Sequence, residues 1–199
     1  MTTQTDNGVS DSLRLLLRLV RLQESCPPAS AVSAISRATS QILILSAIYD
    51  MSIEKDGDGC ISLADWCSTF VRAIERGFGG AMNISYSARS EARLPLPKAQ
   101  TLGLALGELL ADSHDRASSI GFAPIAELAL DEDVGGGVRL KIRDGSPSKG
   151  LPTLATMLAL ALGGSLSETK AEGYCERVIA FDVAASSSMQ ESCGCGPQP

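Results

Sequence analysis

The sequence predicts an α+β fold, a two-helix hairpin followed by a sandwich with helices in one layer and strands in the other. Three observations predict it. Apolar residues recur every three or four positions through residues 13–48. The period then drops to two at Met82, Ile84 and Tyr86, which alternate with Asn83, Ser85 and Ser87. Two more alternating runs, 125–130 and 138–143, flank the turn-rich Asp133-Val134-Gly135-Gly136-Gly137 and read as a hairpin.

Taken in order, Leu13, Leu16, Leu17 and Val20 with Arg14, Arg18 and Arg21 between them form an amphipathic helix to about Glu24, stopped by Pro27-Pro28. A second helix follows, stepping through Ile35, Ala38, Ile42, Leu45 and Ile48. Its Ile42-Leu43-Ile44-Leu45 run is apolar nearly all round, so it needs contact on more than one side. Pairing two such hairpins into a four-helix bundle buries that surface, which predicts a homodimer. Ser62-Leu63-Ala64-Asp65 resembles a capping box and opens a helix over 62–76, ended by the glycines of 77–80. Leu94-Pro95-Leu96-Pro97 is an extended link into a helix over 98–117. A helix over 154–162 ends at Gly163, where a left-handed cap is expected, and 177–183 is a final strand. The chain divides into the hairpin, 8–52, a linker, 53–61, the sandwich, 62–183, and a Ser/Gly/Pro-rich tail, 184–199, expected to be disordered.

Composition narrows the function. The 199 residues are 44% hydrophobic and 20% charged, those of a globular protein. A net charge of -6 argues against a nucleic-acid footprint, and 4% aromatics leave few platforms for stacking bases. No N-terminal stretch has the layout of a secretory leader, and the longest apolar run, 151–162, is too short to cross a bilayer. A cytoplasmic protein without membrane contact is expected. Six cysteines with one histidine make no zinc quartet and read as free thiols in a reducing compartment.

Glu54-Lys55-Asp56-Gly57-Asp58-Gly59-Cys60-Ile61-Ser62-Leu63-Ala64-Asp65 has the spacing of a calcium loop. Asp56, Asp58 and Ser62 stand at ligand positions and Gly59 at the sharp turn, with Asp65 at the closing position. Glu54 replaces the usual opening Asp, and Asp65 is too short for the bidentate contact a Glu gives. A polar linker that caps the next helix explains the stretch without metal; a weak Ca²⁺ or Mg²⁺ site is the other reading.

The order of elements, with Leu19-Val20-Arg21-Leu22-Gln23, Leu94-Pro95-Leu96, Leu102-Gly103-Leu104-Ala105-Leu106-Gly107-Glu108-Leu109, Arg143-Asp144-Gly145 and Leu162-Gly163-Gly164-Ser165-Leu166, resembles the HWE-type sensor histidine kinases and histidine phosphotransferases of bacterial two-component systems. The resemblance runs over 6–183 and implies a dimerisation and phosphotransfer hairpin followed by an ATP-binding sandwich. It also implies where this chain departs. The phosphoaccepting His falls at Asn7, whose amide lacks a nucleophilic nitrogen lone pair. The Mg²⁺-holding Asn falls at Asp112, and the Lys that follows it at Asp115, which sets negative charge where a polyphosphate would lie. Asp144 and Gly145 keep the adenine-contacting pair, but the lid is compressed into Ser146-Pro147-Ser148-Lys149-Gly150.

Glu108, Asp112, Asp144 and Gly145 are therefore a vestigial ATP and Mg²⁺ site, or else the acids are the solvated face of a helix and Asp144-Gly145 a plain turn. The single His114 lies on the sandwich helix and reads as a histidine without a catalytic task. The expected function is that of an adaptor without catalytic residues or a required cofactor. It would bind a response-regulator receiver domain, or a sensor kinase, through Leu13, Arg14, Leu17, Arg18 and Arg21. Two alternatives stand beside it: a working phosphotransferase or kinase with a nonstandard acceptor, and a calcium-responsive adaptor using the 54–65 loop.

Overall fold

The computed structural model describes residues 31–53, 60–133, 135–145, 147 and 150–183. Asn7, the helix bearing Leu13, Arg14, Leu17, Arg18 and Arg21, the loop residues Asp56 and Asp58, and the tail 184–199 lie outside the described residues.

The described chain runs α1 (Ala31–Ile53), β1 (Cys60–Ser62), α2 (Leu63–Gly77), β2 (Asn83–Arg89), β3 (Arg93–Pro95), α3 (Leu96–Ser119), β4 (Ile125–Glu132), β5 (Gly137–Asp144), α4 (Thr153–Ala161), β6 (Ser165–Ala171) and β7 (Tyr174–Asp182). The α+β class holds. Five strands form one sheet in the order β2-β4-β5-β7-β6, with β2 and β4 parallel and every other pair antiparallel. The alternation in β4 and β5 predicts their hairpin correctly: Ala126, Leu128, Leu130, Val138, Leu140 and Ile142 all point into the core, and Leu130 sits opposite Leu140.

Three strands escape the sequence reading. β1 and β3 are three residues each and pair antiparallel, Ile61 opposite Leu94, both buried, so the expected Leu94-Pro95 link is partly a strand. β6 is a polar edge strand whose only partly buried apolar residue is Leu166, so its alternation is faint; the tight turn with Gly173 at φ +85° pairs it back onto β7.

In the capping box Ser62 Oγ accepts from the Asp65 N–H at 3.4 Å. Gly163 adopts the expected left-handed cap, φ +77°. α1 corrects the reading of its own helix. Its buried face is Ser40, Gln41, Ile44, Leu45 and Ile48, whereas Ile35 and Ile42 are 67% and 55% exposed. That buried face packs on α2 and α3, and one hydrophobic core runs from Ile44 and Ile48 through Trp66, Phe70 and Leu106 to Leu140 and Ile179. α3 is the central helix, with buried side chains on nearly every side.

Candidate functional site

The polar residues that α3 buries are Glu108, Ser113 and Arg116, and they define three stripes. Glu108 and Asp115 turn towards α1. Arg37 of α1 donates to Glu108 Oε2 at 3.0 Å and to Asp115 Oδ2 at 2.7 Å, and Gln41 donates to Glu108 Oε1 at 2.6 Å. Asp112 and Arg116 form the second stripe, paired across one helical turn at 2.8 Å. Ser113 and Ala117 form the third, turned towards the sheet.

Under that third stripe stand Asp144, at the inward-facing end of β5, and Arg177 on β7. In the register Ile142 lies opposite Arg177, so the pleat directs this arginine inward between Cys175 and Ile179, and it is 0% exposed. A buried guanidinium must be compensated by acceptors, and it is. Arg177 Nη1 donates to Ser113 Oγ at 3.0 Å and to the Leu109 carbonyl at 3.3 Å, and Nε donates to Glu168 Oε2 of β6 at 3.2 Å. Ser113 Oγ in turn donates to Asp144 Oδ2 at 2.6 Å. The guanidinium also stands 3.5 Å from both Asp112 Oδ2 and Asp144 Oδ2. Arg116, likewise buried, donates to the Pro147 carbonyl at 3.1 Å and so pins the segment after β5 to α3.

Burial pushes the Asp112 carboxyl above its ordinary value, while Arg116 and Arg37 pull it down. Burial is also the largest cause, against its hydrogen bond to Asp115 and the neighbouring acids, acting on Arg37, whose pKa is nonetheless raised. The structure thus brings Asp112 and Asp144 together through one guanidinium and leaves Glu108 in a separate cluster with α1. Gly145 follows Asp144 at the surface. His114 Nδ1 lies 3.5 Å from Asp115 Oδ1, with its ring 4.6 Å from that of Phe78.

Arg37, Ser113, Arg116, Glu168 and Arg177 went unremarked in the sequence. One signal was there for Arg177: the alternation Cys175, Ile179, Phe181 assigns position 177 to the inward face, where a charge demands an internal partner. Of the loop residues with calcium spacing, Ser62 serves as the cap of α2, and the Asp65 carbonyl accepts from Ser68 Oγ at 3.0 Å. Among the described residues no group of three or more His, Cys, Asp or Glu forms that could hold a metal ion, and no helix is long and apolar enough to cross a membrane.

A second feature adjoins Asp144. A cavity of about 190 Å³ is walled by Ser113, Ala117 and Ile120, by Met82, and by residues 122–125, with Asp144 and Gly145 completing it.

No protein-family model and no curated protein matches the sequence. Solved structures do match. The Erythrobacter litoralis EL346 blue-light activated histidine kinase is similar over 94% of this chain and 62% of its own length, with a TM-score of 0.71 and 18% identity. The histidine kinase domain of that kinase is similar over 92% of this chain and 96% of its own, with a TM-score of 0.65 and 19% identity. At such identities the likeness is one of shape, and the chain spans about 62% of the length of the first protein. The chain has the fold of a histidine kinase domain.

Proposed function

We propose that this chain is a two-component signalling protein that works by binding and has lost phosphoryl chemistry. The salt network around α3 carries the reading. Mg²⁺ needs several oxygen ligands in near-octahedral array, alongside its waters and a phosphate. Glu108, Asp112 and Asp144 instead face guanidinium groups at 3.0, 2.8 and 3.5 Å, fixed by further hydrogen bonds. A metal would have to expel buried arginines, which leaves those cations uncompensated. Five carboxylates (Glu108, Asp112, Asp115, Asp144, Glu168) surround three guanidinium groups (Arg37, Arg116, Arg177), so the surplus charge opposes a polyphosphate. These residues do not fit an ATP–Mg²⁺ pair. Asn7 at the phosphoacceptor position points the same way.

The protein acts as a cytoplasmic homodimer whose hairpin docks a response-regulator receiver domain, or a sensor kinase, through Leu13, Arg14, Leu17, Arg18 and Arg21. The exposed Ile35 and Ile42 on α1 supply apolar surface of the kind a helix bundle buries. Ser62 spent as a helix cap supports reading 54–65 as a linker. The test is calorimetry of the full chain with ATP and Mg²⁺, joined to incubation with a phosphorylated receiver domain. No heat of ATP binding and no label on the chain are expected. Saturable, Mg²⁺-dependent ATP binding, or label passing between chain and receiver, overturns the reading in favour of a working enzyme. A change in Trp66 fluorescence on adding millimolar Ca²⁺ favours the calcium-responsive reading instead.

A further inference from the structure

We propose that the open edge of β2 is a self-association surface, where a second copy of this chain adds its own β2 antiparallel and joins the two sheets into one. β2 borders the five-stranded sheet with β4 as its single neighbour there, and its residues read Asn83-Ile84-Ser85-Tyr86-Ser87-Ala88-Arg89. Along a parallel pair, alternate residues turn their main-chain N–H and C=O towards the neighbour and towards the open side. The Asn83 N–H donates to the Pro124 carbonyl, just before β4, at 3.0 Å, so Asn83, Ser85, Ser87 and Arg89 serve the sheet. The Ile84 N–H points the other way, where Glu75 Oε1 of α2 accepts it at 3.3 Å. Tyr86 and Ala88 follow Ile84 at the same period, and among the described residues nothing meets their edge-facing N–H groups. Such an edge is a template for another strand. β6, at the far side of the sheet, is guarded by Glu168 and Lys170, whereas β2 has no charge before Arg89, no proline and no bulge.

The order of residues in the strand names the occupant. Two copies paired about Tyr86 set Tyr86 opposite Tyr86, Ile84 opposite Ala88, Ser85 opposite Ser87 and Asn83 opposite Arg89. The edge-facing residues 84, 86 and 88 then stand opposite one another, so each pair exchanges both main-chain bonds as an antiparallel ladder requires. Ile84 gives up one long bond to Glu75 in exchange for the Ala88 carbonyl of the second copy. No like charges meet, because Arg89 faces a neutral amide. Ile84, Tyr86 and Ala88 share the face of Ala126, Leu128 and Leu130 on β4, so the joined sheets continue one apolar layer. Tyr86, 48% exposed in the single chain, gains a cross-strand aromatic partner. One strand edge is a small interface and each chain carries a net charge of -6, so the association is weak, with a Kd on the order of 0.1 mM. Dilute samples therefore leave the edge open.

The experiment follows amide exchange of the full chain, residue by residue, from about 10 µM to about 1 mM in roughly 0.15 M salt. The Tyr86 and Ala88 amides should exchange about fourfold more slowly at the upper end, while those of Ser85 and Ser87, bonded to β4, stay protected throughout. This readout is blind to pairing through α1 and to nucleotide, so its failure and that of the adaptor reading remain distinct. Tyr86→Lys and Tyr86→Glu each set like charges opposite one another in the pair and should each remove the concentration dependence at Ala88. An equimolar mixture of the two should restore it, because Lys then meets Glu. Both replace a half-exposed side chain at a strand edge and should leave the melting temperature near that of the parent. Ala88→Pro removes an N–H that serves no bond to β4 and should abolish the effect at Tyr86. Exchange independent of concentration overturns the proposal, and protection of Tyr86 and Ala88 already complete at the lowest concentration does so in favour of a cover from the same chain. A concentration dependence that survives either charged variant, or a mixture that fails to restore it, overturns pairing about Tyr86.

Discussion

Arg37 shows how one side chain couples two helices. It reaches from α1 to Glu108 and Asp115 on α3, and Glu108 is almost wholly buried. Arg37→Met should destabilise by roughly 2–3 kcal/mol, below the full cost of stranding a buried charge because Gln41 still donates to Glu108 and Arg37 is itself partly exposed. The double variant Arg37→Met/Glu108→Leu should recover most of that loss in urea unfolding; a strictly additive double variant contradicts the coupling. Thiol chemistry offers a second check. Burial pushes Cys67 up to about 12, and burial with a hydrogen bond to Glu168 pushes Cys175 up to about 12. Both are free. Iodoacetamide at pH 8 should therefore leave both unlabelled in the native protein and label them in urea, as peptide mapping would read.

Asp112 gives a pH dependence with a definite sign. Its carboxyl is raised above 3.8 in the folded chain, so the folded state holds the proton longer than the unfolded state does. Stability from this group is full below the unfolded value and is lost as pH rises through the folded one. Asp112→Asn should flatten that decline in acid unfolding curves, and a steeper decline would contradict the burial argument. Glu108, Asp112 and Asp144 were legible in the sequence only through the motifs that resemble the histidine kinases. Of their arginine partners, Arg116 stands four residues after Asp112 on the same helix and was within reach of helical spacing, whereas Arg37 and Arg177 lie on other elements that only folding brings to α3.

At the scale of elements, the contact of α1 with α3 depends on two glycines one turn apart. A Cβ at Gly103 would stand 2.8 Å from Ile44 Cγ2, and one at Gly107 2.8 Å from Ile44 Cδ1. The first atom is fixed by the β-branch and the second is the end of a rotatable arm. Gly103→Ala should therefore cost about 1–3 kcal/mol from overpacking, while Gly107→Ala lies closer to neutral because the gain in helix propensity, about 1 kcal/mol, offsets a smaller displacement. Ile44→Val removes Cδ1 but keeps Cγ2, so it should relieve the Gly107 variant and not the Gly103 variant; thermal melts of the four proteins check the order. The strands show where local pattern suffices. β4 and β5 alternate cleanly because one face is buried by helices. β6 fails to announce itself because an edge strand makes its hydrogen bonds to β7 and buries little of its own.

At the scale of the molecule, the exposed Ile35 and Ile42 belong to a helix whose opposite face is already committed to α2 and α3. If the protein is a bundle-paired homodimer, Ile42→Glu should yield a monomer in sedimentation, because an exposed carboxylate sits at ease in water and not in a bundle core. An unchanged sedimentation coefficient would count against pairing through α1.

By itself the sequence determined the class of fold, the order of its main helices and strands, the β4–β5 hairpin and the two helix ends at Ser62 and Gly163, since periodicity, caps and turn residues act over a few neighbouring positions. Only the tertiary structure decided which face of α1 is buried and what surrounds the carboxylates. Asp112 and Asp144 are 32 positions apart and Arg177 lies 33 beyond Asp144. Whether such acids present open oxygens or stand neutralised depends on cations that pleat and helix packing deliver from remote parts of the chain.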